Sequence, residues 1–120
     1  MTAPIEFLIT LPLSEELVNE LRGTSNRLHI THIRASKPEE IPADVWQKAE
    51  ILYTSGALPA PEAAPNLKWI QFHWAGIDHA VDAPILKKPD LIVTTLSGVA
   101  SSKEGEYIMM MLLALGQKLP

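Results

Sequence analysis

The sequence predicts an α/β protein: a flavodoxin-like, doubly wound sheet of five parallel strands in the order 2-1-3-4-5, closed by a C-terminal helix. Three observations carry that prediction. Five β-rich apolar runs recur about every 20 residues, the rhythm of repeated β-α units. The segments between them show helical patterns, and crossovers of that kind join parallel strands in the right-handed sense. The 120 residues make one domain by length, large enough to bury a core, and hold no internal repeat or low-complexity tract. In such sheets ligands bind outside the carboxyl ends of the strands.

Residues 5–10, 28–34, 51–55, 67–73 and 91–96 are the candidate strands. Between the first two, Ser14 is an N-cap followed by Glu15 and Glu16. Leu17, Val18 and Leu21 then form an apolar face, and Gly23 stands near the stop of a helix of roughly ten residues. A second short helix covers residues 42–49, with Pro42 near its first position. Residues 58–65 hold three prolines and read as a loop or a broken turn. The stretch from Asn66 to Asp78 is the most informative: a buried strand ends abruptly in the small turn Ala75-Gly76-Ile77, which is expected to open a helix.

The last segment differs in kind. Ser101-Ser102-Lys103-Glu104 has the pattern of a capping box. The run from Tyr107 to Leu115 is apolar around the whole helix, and such a helix must be covered on every side. It is too short for a bilayer, which needs about 20 residues. The expectation is an interface helix, one face on this domain's sheet and the other on a second domain or a second copy of the chain. Met109, Met110 and Met111 are then packing filler at that interface.

Composition narrows the function classes. A net charge of -4 comes without a block of like charges or a Lys/Arg stripe, which argues against a nucleic-acid partner. There is no Cys, so disulfides, thiolate metal sites and Cys nucleophiles are excluded together. The start, Met1-Thr2-Ala3-Pro4-Ile5-Glu6, lacks the basic region and long apolar core of a signal peptide, and the chain is expected to be cytoplasmic. His29 and His32, three apart on a strand, point to opposite faces and cannot share a metal. Glu104 and Glu106, two apart on a helix, diverge and form no acid/base pair.

Several segments resemble one family in their order and spacing. Asn66-Leu67-Lys68-Trp69-Ile70-Gln71 and Trp74-Ala75-Gly76-Ile77-Asp78-His79 are followed by Thr95-Leu96-Ser97-Gly98-Val99, by Glu106-Tyr107, by Leu112-Leu113-Ala114-Leu115 and by Lys118-Leu119-Pro120. Together they look like the N-terminal half of a D-isomer-specific 2-hydroxyacid dehydrogenase, over most of the chain and most strongly from Ile51 onward. The resemblance implies two α/β domains facing across a cleft: a flavodoxin-like substrate domain and a Rossmann domain that follows a long interdomain helix. On that basis residues 1–100 are the substrate-binding domain and residues 101–120 the interdomain helix, and the Rossmann domain lies outside this chain.

Matched to that family, Ala75, Gly76 and Ile77 form the turn whose backbone N–H groups hold the substrate carboxylate. The chemistry stands without the family as well, since a turn into a helix presents unpaired donors and Gly76 lets an anion approach the backbone. The loop Thr54-Ser55-Gly56-Ala57-Leu58 matches the second wall of the pocket, with Ser55 and Gly56 as substrate-binding candidates. Val99, where the interdomain helix opens, is a lining candidate. His73 and His79 flank the carboxylate turn and read as hydrogen-bonded scaffold. Trp69 is expected to anchor the core, and Trp74 the cleft edge. Gly105 stands where the family commonly has Ala, which softens the first turn of the helix by about 1 kcal/mol.

The departures bound the function. No Gly-x-Gly-x-x-Gly follows a strand in these 120 residues, and the family's catalytic Arg, Glu and His belong to the Rossmann half. The expectation is therefore the substrate-binding half of an NAD(P)-dependent oxidoreductase acting on D-2-hydroxy acids, inert alone and a fragment of a longer enzyme, binding a small 2-oxo or 2-hydroxy acid. NAD or NADP serves the full enzyme, no cofactor or metal is expected on this chain, and a homodimer is expected through Ser102 to Leu119. The alternative is a catalytically silent small-anion-binding or dimerisation module. A receiver domain would need acidic residues where Thr10-Leu11-Pro12 and Thr54-Ser55-Gly56 stand. A flavin binder would need glycines in Leu11-Pro12-Leu13-Ser14.

Overall fold

The structure is a computed structural model that describes residues 3–119. Met1 and Thr2 of the expected start, and Pro120 of the closing Lys118-Leu119-Pro120 run, lie outside the described residues. The elements in order are β1 (Ile5–Ile9), α1 (Glu15–Gly23), β2 (Leu28–His32), α2 (Ala43–Lys48), β3 (Ile51–Thr54), β4 (Trp69–Phe72), β5 (Ile92–Thr94) and α3 (Ser101–Gly116), with single 3-10 turns at Pro38–Glu40 and Pro84–Lys87. All four strand pairings are parallel and the order is β2-β1-β3-β4-β5, the doubly wound order expected from the sequence. Each strand is shorter than its apolar run, although single ladder bonds continue beyond the strands. The Thr10 N–H donates to the Tyr53 carbonyl at 3.0 Å and the His73 N–H to the Thr54 carbonyl at 2.9 Å.

The register sorts the side chains onto two faces. Leu8, Leu52, Ile70 and Val93 lie in one row, with Thr54 and Phe72 beyond them. This face carries the larger core, closed by Trp46 of α2, by Ala64 and Leu67 of the proline-rich loop, and by Ala80 and Ile85. Trp46 Nε1 donates to the Pro38 carbonyl at 3.1 Å, so the indole is buried without an orphan donor. The Lys88 ammonium donates to the carbonyls of Pro65 and Leu67 at 2.6 and 2.8 Å, pinning the proline-rich loop under the sheet. On the opposite face Ile30, Phe7, Ile51, Trp69 and Ile92 align in one row. Among the described residues only α1 covers it, with Val18 buried against Ile9 and Ile30.

Four local expectations are corrected. Ser14 does cap α1, its hydroxyl accepting from the Leu17 N–H at 3.4 Å, but Leu17 itself is exposed because a nine-residue helix seats only the stripe around Val18 and Leu21. The turn after β4 does not open a helix: turns run on to the 3-10 segment, and Ala83, just before Pro84, is held extended at ψ 128°. The capping box at Ser101 does not form. α3 starts one residue early, with Ala100 at the N-cap, and the Ser101 hydroxyl donates back to the Gly98 carbonyl at 2.8 Å, which puts Glu104 out of register. Trp69 is 37% exposed rather than in the core, since its row faces the thinly covered side of the sheet.

α3 also departs from expectation in its place. No residue of it is buried, and the apolar side chains from Tyr107 to Leu115, Ala114 apart, are between 38% and 68% exposed. The chain measures 60 × 34 × 25 Å with a radius of gyration of 18.2 Å, where a compact domain of this length has about 14 Å. The helix projects from the domain instead of lying on the sheet.

Candidate functional site

The carboxyl ends of β3 and β4 end in an open groove of about 580 Å³ lined by Ser55, Trp74, Ala75, Gly76 and His79. Its first wall is built from Thr54, a fully buried polar residue at the end of β3. The Thr54 hydroxyl oxygen accepts from the Gly56 and Ala57 N–H groups at 3.1 and 3.0 Å and from the Thr10 hydroxyl at 2.8 Å. That clamp fixes the backbone of Ser55 and Gly56 and leaves the Ser55 carbonyl pointing across the groove. The Trp74 indole N–H donates to that carbonyl at 3.1 Å. His79 Nε2 lies at the same distance from the same oxygen, an acceptor that requires the proton on Nε2. The His79 ring also stands edge-on to the buried Phe72, their centroids 6.2 Å apart.

The second wall is the turn after β4. Its ends are tied down: the Trp74 carbonyl accepts from the Leu96 N–H at 3.0 Å, and the Ile77 carbonyl from the Ala80 N–H at 2.8 Å. The Ile77 side chain packs on the larger core. Between these anchors the N–H groups of Ala75, Gly76 and Ile77 make no hydrogen bond to any described residue. Ala75 and Gly76 are exposed and Ile77 half-buried, and successive backbone donors on a turn can receive an oxyanion where they converge. The local field is mixed, because the Asp78 carboxylate lies 3.5 Å from the position a Gly76 Cβ would take. An adjoining groove of about 230 Å³ shares Ser55 and brings in Thr10, Arg34 and Glu40. Arg34 forms no ion pair among the described residues. Glu40 accepts from the Ser36 and Lys37 N–H groups at 2.7 and 3.0 Å, and those donors hold its carboxyl below the usual range.

The expected site residues are thus partly gathered. Ser55, Ala75 and Gly76 line one groove, and Gly56 abuts it, a Cβ there meeting His79 Nε2 at 3.8 Å. Ile77 offers only its backbone. Val99 is 72% exposed and does not line the groove. His73 turns away, its Nδ1 2.7 Å from the Tyr53 hydroxyl on the other face of the sheet, and burial pushes the Tyr53 hydroxyl up. His79, expected in a first helical turn, sits in an irregular turn and positions Ser55. Arg34 was not singled out by the sequence, where it reads as the end of a strand. Only the sheet order, which brings the ends of β1, β2 and β3 together, puts it beside Ser55. The two histidines of β2 do separate, His29 pairing with Glu6 at 2.7 Å and His32 with the Leu11 carbonyl at 2.7 Å. Among the described residues no group of three His, Asp or Glu could hold a metal, and no helix is long and apolar enough to cross a membrane.

No protein-family model and no curated protein sequence matches the chain. Among solved structures it superposes on D-lactate dehydrogenase from Aquifex aeolicus, a crystal structure complexed with NAD and lactic acid, with a TM-score of 0.65 at 21% identity. The likeness establishes the fold. It covers 91% of this chain and 33% of that enzyme, so the chain spans about a third of that enzyme's length.

Proposed function

We propose that this chain is the substrate-binding half of an NAD(P)-dependent oxidoreductase acting on the CH–OH group of a D-2-hydroxy acid. The observation that carries this reading is the row of unpartnered N–H groups at Ala75, Gly76 and Ile77, at the carboxyl ends of a parallel sheet. They take the substrate carboxylate; Ser55 and Gly56 form the facing wall, with Trp74 and His79 fixing the Ser55 carbonyl between them. D-lactate dehydrogenase, the structural neighbour bound to NAD and lactic acid, supports the same substrate class. Residues 1–100 then act as the substrate domain and residues 101–120 as the interdomain and dimerisation helix, pairing two chains through Ser102 to Leu119.

The described residues do not fit a dinucleotide. The turn from β1 into α1 is Leu11-Pro12-Leu13-Ser14, with no glycine to let a pyrophosphate approach, and the Ser14 side chain already caps the helix. NAD or NADP is therefore assigned to a Rossmann domain outside these residues, and this chain alone is expected to transfer no hydride. Its part is to bind and orient the acid. The test is titration of the isotope-labelled chain with pyruvate, followed by backbone amide shifts. Saturable shifts centred on Ala75, Gly76 and Ile77 are the expected result, and a silent turn at saturating ligand would leave the second reading, a catalytically silent dimerisation module favoured by the bare α3.

A further inference from the structure

The two grooves at the carboxyl ends of the sheet adjoin at Ser55, which lines both. The Ala75-Gly76 turn lies on its β4 side, and Thr10, Arg34 and Ser36 lie on its β1 side. The sheet order explains why a groove opens on the β1 side. β1 leads into α1, on one face of the sheet, while its neighbour β3 leads into the proline-rich loop, on the other. Where neighbouring strands send their connections to opposite faces, a crevice is left outside their carboxyl ends, and such crevices hold ligands. The groove of about 230 Å³ lies there, between Thr10 at the end of β1 and Ser55 at the end of β3.

This chain builds that groove from its own strand ends and fixes the backbone on both sides of Arg34. The Ile33 N–H donates to the Ile9 carbonyl at 3.0 Å and the Ala35 N–H to the Thr10 carbonyl at 3.1 Å. Two charged side chains line the groove, Arg34 and Glu40. The Glu40 carboxylate is turned onto the Ser36 and Lys37 N–H groups and makes no ion pair with Arg34, so the groove keeps an uncompensated cation among the described residues. The neighbouring groove holds no Lys or Arg. An acid whose carboxylate rests on the turn after β4 therefore meets a cation only by extending past Ser55. There it finds a planar guanidinium, whose paired donors match a carboxylate or a phosphate.

We infer that Arg34 is a specificity-determining residue that receives a second anionic group, at the end of the substrate remote from its 2-oxo acid head. The inference rests on the carboxylate turn proposed above and narrows the substrate class to acids with two anionic ends, of which a 2-oxo dicarboxylate is the simplest. Ser55 then lies beside the middle of the substrate, between the two anchors. Arg34 itself is exposed, so its contribution is that of a charge in an open, wet groove. Such a contact selects among acids by about tenfold and weakens as salt screens it.

Amide titrations of the isotope-labelled chain with 2-oxopentanoate and 2-oxoglutarate test this, because the two acids differ in carrying a methyl or a carboxylate at the far end. The expected result is saturable shifts at Ala75, Gly76 and Ile77 with both acids, and roughly tenfold tighter binding of 2-oxoglutarate. Shifts at Arg34 and Ala35 should accompany 2-oxoglutarate alone. Arg34→Gln should erase the ratio between the two acids. Lys48→Gln, which removes the same charge where α2 leads into the start of β3, should leave that ratio in place. Equal binding of the two acids, or a ratio that survives Arg34→Gln, overturns the inference and keeps the carboxylate turn. A ratio lost equally in both variants marks the overall charge of the chain and overturns it as well. A turn silent to both acids overturns the substrate reading and the inference together.

Discussion

Thr54 shows how one side chain can set a wall of a site. Its buried hydroxyl oxygen accepts from the Gly56 and Ala57 N–H groups, so replacing it by the isosteric Val orphans both donors, while the Thr10 hydroxyl keeps the Tyr53 carbonyl at 3.4 Å. Thr54→Val is expected to cost about 2–3 kcal/mol, read from the urea midpoint, and to broaden the amide signals of Ser55 and Gly56. Gly76 behaves differently. Its φ is not in the left-handed region, and a Cβ would meet Asp78 at ordinary contact distance, so Gly76→Ala should leave stability within about 1 kcal/mol. The methyl group would stand where the acid approaches, and pyruvate binding should weaken roughly tenfold, about 1.4 kcal/mol, by the same amide titration.

At the scale of an element, the register of β3 and β4 sets the Lys68–Glu50 ion pair. Lys68, leading into β4, donates to the Glu50 carboxylate at the start of β3, and with the Glu6 N–H it holds that carboxyl below its ordinary value. A carboxyl held low in the folded chain adds stability above its unfolded value of 4.5 and loses it as pH falls through the folded value. Urea midpoints should therefore drop below about pH 4.5, and Lys68→Met should flatten that fall. α3 makes the opposite case. A lone helix of 16 residues is marginal in water, so its amides should exchange with solvent far faster than those of β1 and β3 at high dilution and become protected as the concentration rises.

For the whole molecule, the sheet is the platform on which both cores and the groove are built. Leu52, fully buried where β3 crosses the middle of the sheet, supports both the core and the groove above it. Leu52→Ala should cost about 2–5 kcal/mol and lower the melting temperature without changing which amides respond to pyruvate, because the groove is built from backbone that the sheet order holds. Arg34 comes to line the adjoining groove beside Ser55 only through that order, β2-β1-β3, across 21 residues of sequence.

The strand runs, the Ser14 cap, the two short helices and the Ala75-Gly76-Ile77 turn were legible because each rests on local chemistry: β-rich runs at regular spacing, a hydroxyl before an acidic turn, a glycine at a strand end. By itself the sequence determined the fold class and strand order and excluded thiol chemistry, through spacing and composition. Only the tertiary structure decided that the turn after β4 opens no helix, that Trp69 faces outward, that Val99 stands apart from the groove, and that α3 leaves the sheet. Those outcomes depend on which face of the sheet each connection covers. An apolar residue is written identically in the sequence whether its cover comes from its own chain or from another.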